Sequence, residues 1–357
     1  MRRPASLDSD ERTTLFLRTL FNAALIGFVV FELRKLNEEH DMGQDGSVSA
    51  KFQLPWRYRA YAPVVKALSL LGRVQVIGRH PFLVLRTAIN RLMYRFVLRD
   101  PAILCVNAKP GFKIFVPLND QGAASIVFLR EYGRDEVTLI RQLMPFSSSF
   151  TDIGCNVGYF SMFVKNLAGP EFEVVSLDPN EFLCRIVRRS ADVNHYEKIE
   201  VRNAAAGQRV GQAFFDVNAR LSTSGRINFS EPQNGTDARS EIQVVMLDDL
   251  VPASAECSKQ KVPLIKIDVE GHEVEVLKGG LSVMKRGAII LCEVWGRTAA
   301  SLAEIAKTHG YQILNHDGER LSAREMARVR RSDVILIPDG FCEKVREALA
   351  GAMSRNS

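Results

Sequence analysis

At 357 residues the chain can hold one large α/β domain and an extension, at about 100–200 residues per domain. Its 46% hydrophobic and 25% charged residues are ordinary globular values. Six scattered cysteines have no CxxC pair; several sit in apolar runs, which reads as buried reduced thiols of a cytosolic protein, and they make no zinc constellation. The net charge of +6 is lopsided, since residues 1–100 carry 16 Lys/Arg against 9 Asp/Glu while the remaining 257 carry 31 against 32. The second part is therefore electrically neutral. That argues against a face built to track nucleic acid, which needs a basic groove.

In chain order, residues 1–13 are polar. Leu15 to Leu33 is apolar but broken by Arg18, Thr19 and Asn22. Its uninterrupted part, Ala23 to Phe31, is far short of the ~20 residues that span a bilayer. Three preceding acids (Asp8, Asp10, Glu11) and no evident cleavage site speak against a signal peptide. A packing helix and an interfacial or partner-binding helix both remain open there. Residues 37–50 read as a linker. Between Gly46 and Arg99 there are ten basic residues and no acid, and Arg91, Arg95 and Arg99 fall four apart among apolar residues. On a helix this makes a basic stripe beside an apolar face. It suits peripheral contact with an anionic membrane surface through residues 56–99, or else a solvated arginine edge. Residues 1–100 are thus expected to be a basic, partly amphipathic helical extension, and residues 101–357 the main domain.

That domain opens with a predicted hairpin, Ile103–Val106 and Phe112–Val116, joined through Lys109-Pro110-Gly111. Helical spacing follows over 125–144. A strand at Ser149–Ile153 then runs into a glycine-spaced turn (Gly154, Asn156, Gly158) and a helix over about 157–167. Strand, glycine turn and helix open a nucleotide-binding α/β sheet. The spacing G-x-N-x-G, two residues after Asp152, is not the G-x-G-x-x-G that holds a pyrophosphate. It favours a ligand without one, such as S-adenosylmethionine, and disfavours a nicotinamide dehydrogenase.

A strand at Phe172–Leu177 closes on Asp178-Pro179, 20 residues past Gly158, where such folds place a ribose-binding acid. Residues 198–205 give a third strand, whose end (Ala204 to Ala206) could border an adenine. Residues 209–230 read as an inserted hairpin and loop, with polar RLSTSGR at 220–226 near an acceptor. Strands follow at Ile242–Met246, at 263–268 ending in Asp268, and at Ala288–Glu293. A helix at 298–308 and strands at Tyr311–Leu314 and Val334–Ile337 complete the order. Alternation of this kind implies a doubly wound, mainly parallel sheet.

DIGCNVGYFS at 152–161 and PLIKIDVEGHEVEVLKGG at 263–280 come with LDPNEFLCRIVRRSADVN at 177–194 and VVMLDDL at 244–250. Together they resemble the FkbM family of S-adenosylmethionine-dependent O-methyltransferases over roughly residues 113–296. The resemblance implies a Rossmann-like class I methyltransferase fold, S-adenosylmethionine as cofactor, and a sugar hydroxyl of a glycan, glycolipid or glycosylated metabolite as acceptor. Asp178 stands where the family usually has Glu before the proline. Asp152, Gly154, Asn156, Gly158, Asp178 and Pro179 would bind the cofactor.

Methyl transfer from a sulfonium is an in-line displacement in which the protein positions the acceptor. A hydroxyl acceptor also needs a base. Acids at the carboxyl ends of core strands are the candidates: Asp268 first, then Glu270 and His272, with Glu293. Helix N-terminal capping is the competing role for Glu270 and Glu273. No metal is expected, because no fourth ligand accompanies Asp268, Glu270 and His272. The rivals are an RNA methyltransferase and a non-catalytic membrane-associated binding protein on the same scaffold.

Overall fold

The computed structural model describes residues 103–117, 126, 129–216, 226–228, 239–251 and 261–353, all within the compact unit Pro101–Ser357. The apolar segment at 15–33, the linker, the basic stripe of residues 56–99 and most of RLSTSGR lie outside the described residues.

A two-stranded hairpin leads in, with β1 (Ile103–Asn107) antiparallel to β2 (Lys113–Pro117). Helical spacing expected over 125–144 is realised as α1 over Arg134–Leu143. The chain then lays down β3 (Ser147–Ile153), α2 (Tyr159–Ala168), β4 (Val174–Asp178), α3 (Glu181–Val193) and β5 (Ile199–Asn203). Each local choice has a cause. Asn180 caps α3 by accepting the Phe182 N–H, satisfying a main-chain donor that the helix leaves open. α3 buries Leu183, Cys184, Ile186, Val187, Ser190 and Ala191 while Arg185 and Arg188 face outward, the amphipathic pattern of a helix covering a sheet.

After a four-stranded insertion the main sheet resumes with β10 (Val262–Ile267), followed by α4 (Glu273–Lys278), α5 (Leu281–Arg286), β11 (Ile289–Trp295) and α6 (Ala299–Thr308). β12 (Tyr311–Leu314), α7 (Ala323–Met326), β13 (Arg331–Pro338) and α8 (Cys342–Met353) complete it. All six residues of β10 are buried, as a central parallel strand covered on both faces requires.

The seven-stranded sheet has the order β12-β13-β11-β10-β3-β4-β5. Contacts from β11 through β5 are parallel, and β13 runs antiparallel to both its neighbours. The sheet is doubly wound and mainly parallel, with helices packed on it. A continuous apolar core joins Ile153, Leu177, Ile265, Ile267, Ile290 and Leu336 to Val276, Leu277 and Leu302 of the covering helices.

One strand does not fall where its spacing suggested. Residues 239–245 form β9 of a separate four-stranded sheet ordered β6-β9-β7-β8, with β6 at Ala205–Ala206, β7 at Gly211–Asp216 and β8 at Arg226–Asn228. The expected third strand accordingly breaks after Asn203. Ala205 and Ala206 pair with β9, and the small sheet has its own apolar cluster of Ala213, Phe215, Ile242 and Val244. Among the described residues no helix is long and apolar enough to cross a membrane.

Candidate functional site

The reversal of strand order lies between β3 and β10, where chain connections leave the sheet in opposite directions. Ligands bind beyond the carboxyl ends of strands at such a switch point. At the end of β3 the chain turns through Gly154 (φ +79°), Asn156 (φ +52°) and Gly158 (φ +76°), all left-handed. Gly154 is forced by packing as well as by φ, because a Cβ there would lie 2.0 Å from the Asp268 carbonyl oxygen. The Gly154 and Cys155 N–H groups donate to Leu177 O at 2.9 and 3.0 Å, fastening the turn to β4.

Asp178, at the end of β4, holds the turn from the other side. Its Oδ2 accepts the Asn156 N–H and its Oδ1 the Asn180 N–H, both at 2.9 Å. Burial pushes this carboxyl up to about 7, even though the two N–H groups pull the other way. Each oxygen retains a second lone pair for a hydroxyl donor. Pro179 is half-buried, and its carbonyl accepts from Asn203 Nδ2 at 2.9 Å.

Asp152 is fully buried within β3, one strand register from both Lys266 and Ser176. Ser161 donates to its Oδ2 at 2.6 Å, and Ser176 donates to Ser161 at 2.8 Å. Burial raises the Asp152 carboxyl; Lys266 and Ser161 counter that in part. Asp152 Oδ1 and Asn156 Oδ1 are buried acceptors with no hydrogen-bond partner among the described residues. Buried acceptors of this kind cost free energy unless something donates to them.

β10 contributes the opposite wall. The Asp268 N–H donates to Ile153 O at 3.0 Å, and its carboxylate accepts from Lys266 Nζ at 2.9 Å. Lys266 was not singled out in the sequence, where it reads as one polar interruption in PLIKID. It is 4% exposed and lies 4.8 Å above the Phe160 ring. Burial would lower its ammonium, but Asp268 and Asp152 more than reverse that, so it stays a cation.

The remaining candidates separate. Glu270 is exposed with φ +55°, and its carbonyl accepts from Arg297 at 2.9 Å; burial, then Asp268, raises its carboxyl. His272 is half-buried at the N-cap position of α4, with no side-chain cap. Glu273, the first residue of α4, is buried and accepts from Gly271 N–H at 2.6 Å and Thr298 Oγ1 at 3.3 Å, tying the loop to α6 rather than capping the helix. Glu293, on the adjoining β11, takes Arg331 at 2.6 Å and Trp295 Nε1 at 3.1 Å, and faces Asp333 across the strand pair. Burial, then Asp268, pushes Glu293 up to about 7 against the pull of Arg331. Burial, then Glu136, pushes Asp333 up to about 6. Arg331 and Asp333 were invisible in the sequence because they reach the site only through the register of β13. Among the described residues no group of three His, Cys, Asp or Glu is disposed to hold a metal ion.

The sequence matches the methyltransferase FkbM domain over residues 152–319. No curated protein matches it. Among solved structures, it is similar to precorrin-6y C5,15-methyltransferase from Geobacter metallireducens at 14% identity and TM-score 0.31, covering 56% of this chain and 84% of that one. It is also similar to the tRNA (uracil-54, C5)-methyltransferase of Pyrococcus abyssi in complex with S-adenosyl-L-homocysteine, at 14% identity and TM-score 0.34, over 66% and 44% of the two chains. M. jannaschii TYW2 in complex with AdoMet matches at 9% identity and TM-score 0.34, over 66% and 85%. The family match over residues 152–319 makes S-adenosylmethionine the expected cofactor. The orphan acceptors Asp152 Oδ1 and Asn156 Oδ1 fit a ligand rich in N–H and O–H donors. Asp152, Asn156 and Asp178 would be the residues to hold it.

Proposed function

We propose that this S-adenosylmethionine-dependent methyltransferase domain methylates a hydroxyl of a sugar in a glycan, a glycolipid or a glycosylated metabolite. The observation that carries the reading is the seating of Asp268. It is wedged against the cofactor turn through Gly154, with its carboxylate at the open end of β10. When bound, the cofactor supplies an electrophilic methyl group on a sulfonium. The chain must then orient a hydroxyl and take its proton, which a strand-end carboxylate beside the turn can do. Asp268 is assigned that role. Lys266 fixes its orientation through the 2.9 Å ion pair.

Glu293 is the nearest alternative acid along the sheet, but Arg331 and Trp295 already engage its two oxygens. Glu270 and His272 lie further along the loop and would line the acceptor entrance. The sugar preference follows the FkbM resemblance, and the neutral charge of residues 101–357 supports a small polar acceptor over RNA. A cytoplasmic setting with peripheral membrane contact through residues 56–99 accords with that segment's nine basic residues and no acid.

The test is methyl transfer from isotopically labelled S-adenosylmethionine by the full chain to a panel of neutral and acidic sugars, with products located by NMR. The expected product is a sugar methyl ether. Asp268→Asn is expected to lose about 10²–10⁴ in rate, the usual worth of a positioned base, while binding the cofactor as the parent does. Methylation of nitrogen, or of RNA in preference to sugars, would overturn the reading.

A further inference from the structure

A pocket of about 380 Å³ opens between the β1–β2 turn, residues 131–134 and one face of α1. Its charged lining is Lys109, Arg134 and Arg141 against a single acid, Glu131. One oxygen of that carboxylate, Glu131 Oε1, takes both Lys109 Nζ at 2.8 Å and Arg134 Nε at 3.0 Å. Arg141 stacks its guanidinium over Phe163 at 5.2 Å, and no carboxylate partners it among the described residues. Glu131 is only 19% exposed, whereas Lys109 and Arg134 are 54% and 69% exposed. The cations therefore remain open to a ligand on their solvent side.

The floor is aromatic. Tyr132 meets Tyr159 and Phe160 with ring centroids 5.8 Å apart, and Phe160 carries the Lys266 ammonium that pairs with Asp268. One layer of rings separates the cation-lined pocket from the proposed acceptor base.

Three cations to one carboxylate around a cavity beside the reacting end of the sheet match an anionic group, and arginine forks suit phosphate and carboxylate alike. We propose that this pocket binds the phosphate or carboxylate of the acceptor, so that the substrate is a phosphorylated or acidic sugar. Glu131 occupies part of the same cation set and competes with that anion. This inference rests on the sugar O-methylation reading for its substrate, but the anion pocket itself can be tested apart from turnover.

The experiment titrates the full chain with inorganic phosphate and, in a second arm, with glucuronate, following backbone and tyrosine NMR shifts at constant ionic strength. Arg141→Gln and Lys109→Gln are each expected to weaken binding about tenfold, equivalent to about 1.4 kcal/mol. Glu131→Gln is expected to strengthen it about threefold by removing the internal competitor. Arg185→Gln, an exposed site on α3, is expected to change nothing. Whichever anion responds more strongly names the source, phosphate or carboxylate. Binding that ignores Arg141 and Lys109, falls equally in Arg185→Gln, or weakens in Glu131→Gln would overturn the proposal. Pocket binding without methylation of any acidic sugar would sink the sugar reading and leave the anion site standing. Methylation of neutral sugars with an unchanged rate in Arg141→Gln would do the reverse.

Discussion

Lys266 Nζ lies 2.9 Å from Asp268 Oδ2, two residues further along the chain, and Lys266 also stands in register with Asp152 on the adjacent strand. One buried ammonium thus faces two carboxylates, and removing it would leave both uncompensated. Lys266→Met is expected to destabilise the domain by about 2–3 kcal/mol, below the full cost of breaking a buried pair because Asp268 is partly solvated. Lys266→Met with Asp268→Asn should recover part of that loss. Urea unfolding of the parent, both single variants and the double variant checks it, and additive losses would show that the two residues do not communicate.

Gly154 combines a left-handed φ with a Cβ site only 2.0 Å from the Asp268 carbonyl. Alanine there must both strain the turn and push β10 away. Gly154→Ala is expected to cost at least about 2 kcal/mol and to abolish cofactor binding. Gly169→Ala is the comparison, since a Cβ there meets nothing within 4 Å, although φ is +91°. It should show only the backbone cost.

Asp178 ties both flanks of the turn through its two oxygens. Calorimetry with S-adenosylmethionine, and NAD as control, should show Asp178→Ala binding the methyl donor at least about tenfold more weakly, or about 1.4 kcal/mol. Since burial lifts this carboxyl to about 7, parent affinity should rise from pH 6 to pH 8 as it ionises. Asp178→Asn should flatten that rise. A pH-independent parent would place the binding contact elsewhere.

Glu293 offers a stability test with a definite sign. Its carboxyl stands at about 7 in the fold, against 4.5 as the ordinary value. The folded protein therefore holds that proton more tightly than the unfolded chain does. Its contribution is complete below about pH 4.5 and is lost as pH rises through about 7. Glu293→Gln should remove this component, so its stability should fall less than the parent's between pH 5 and pH 7.5. Parallel curves from urea unfolding at several pH values would count against it.

Residues whose job is set by their immediate neighbours were legible in the sequence. Asp152, Gly154, Asn156 and Gly158 announce a strand-turn-helix unit because the left-handed positions need small or amide side chains. Asp178 followed from a fixed distance along the chain. Lys266 was not legible, since a lysine inside an apolar run signals an interruption until the partner strand bearing Asp152 is known. Arg331 and Asp333 were hidden for the same reason, their relation to Glu293 being a matter of antiparallel register. β9 has the composition of a core strand, and only its pairing with β7 and β6 sends it to the smaller sheet. Local chemistry travels with the sequence, whereas pairing does not.

The placement of β13 between β11 and β12 has a consequence for how the protein is made. On the ribosome, β11 emerges with the apolar run IILCEVW before its neighbour exists, and β12, which follows sooner, does not pair with it. Until Pro338 has left the exit tunnel the nascent sheet ends in an unguarded apolar edge, a template for pairing with other chains. The same late strand brings Arg331 to Glu293. Synthesis that stalls before β13 therefore leaves a chain whose glycine turn is complete, whose acidic wall is unfinished, and whose open edge strand invites aggregation.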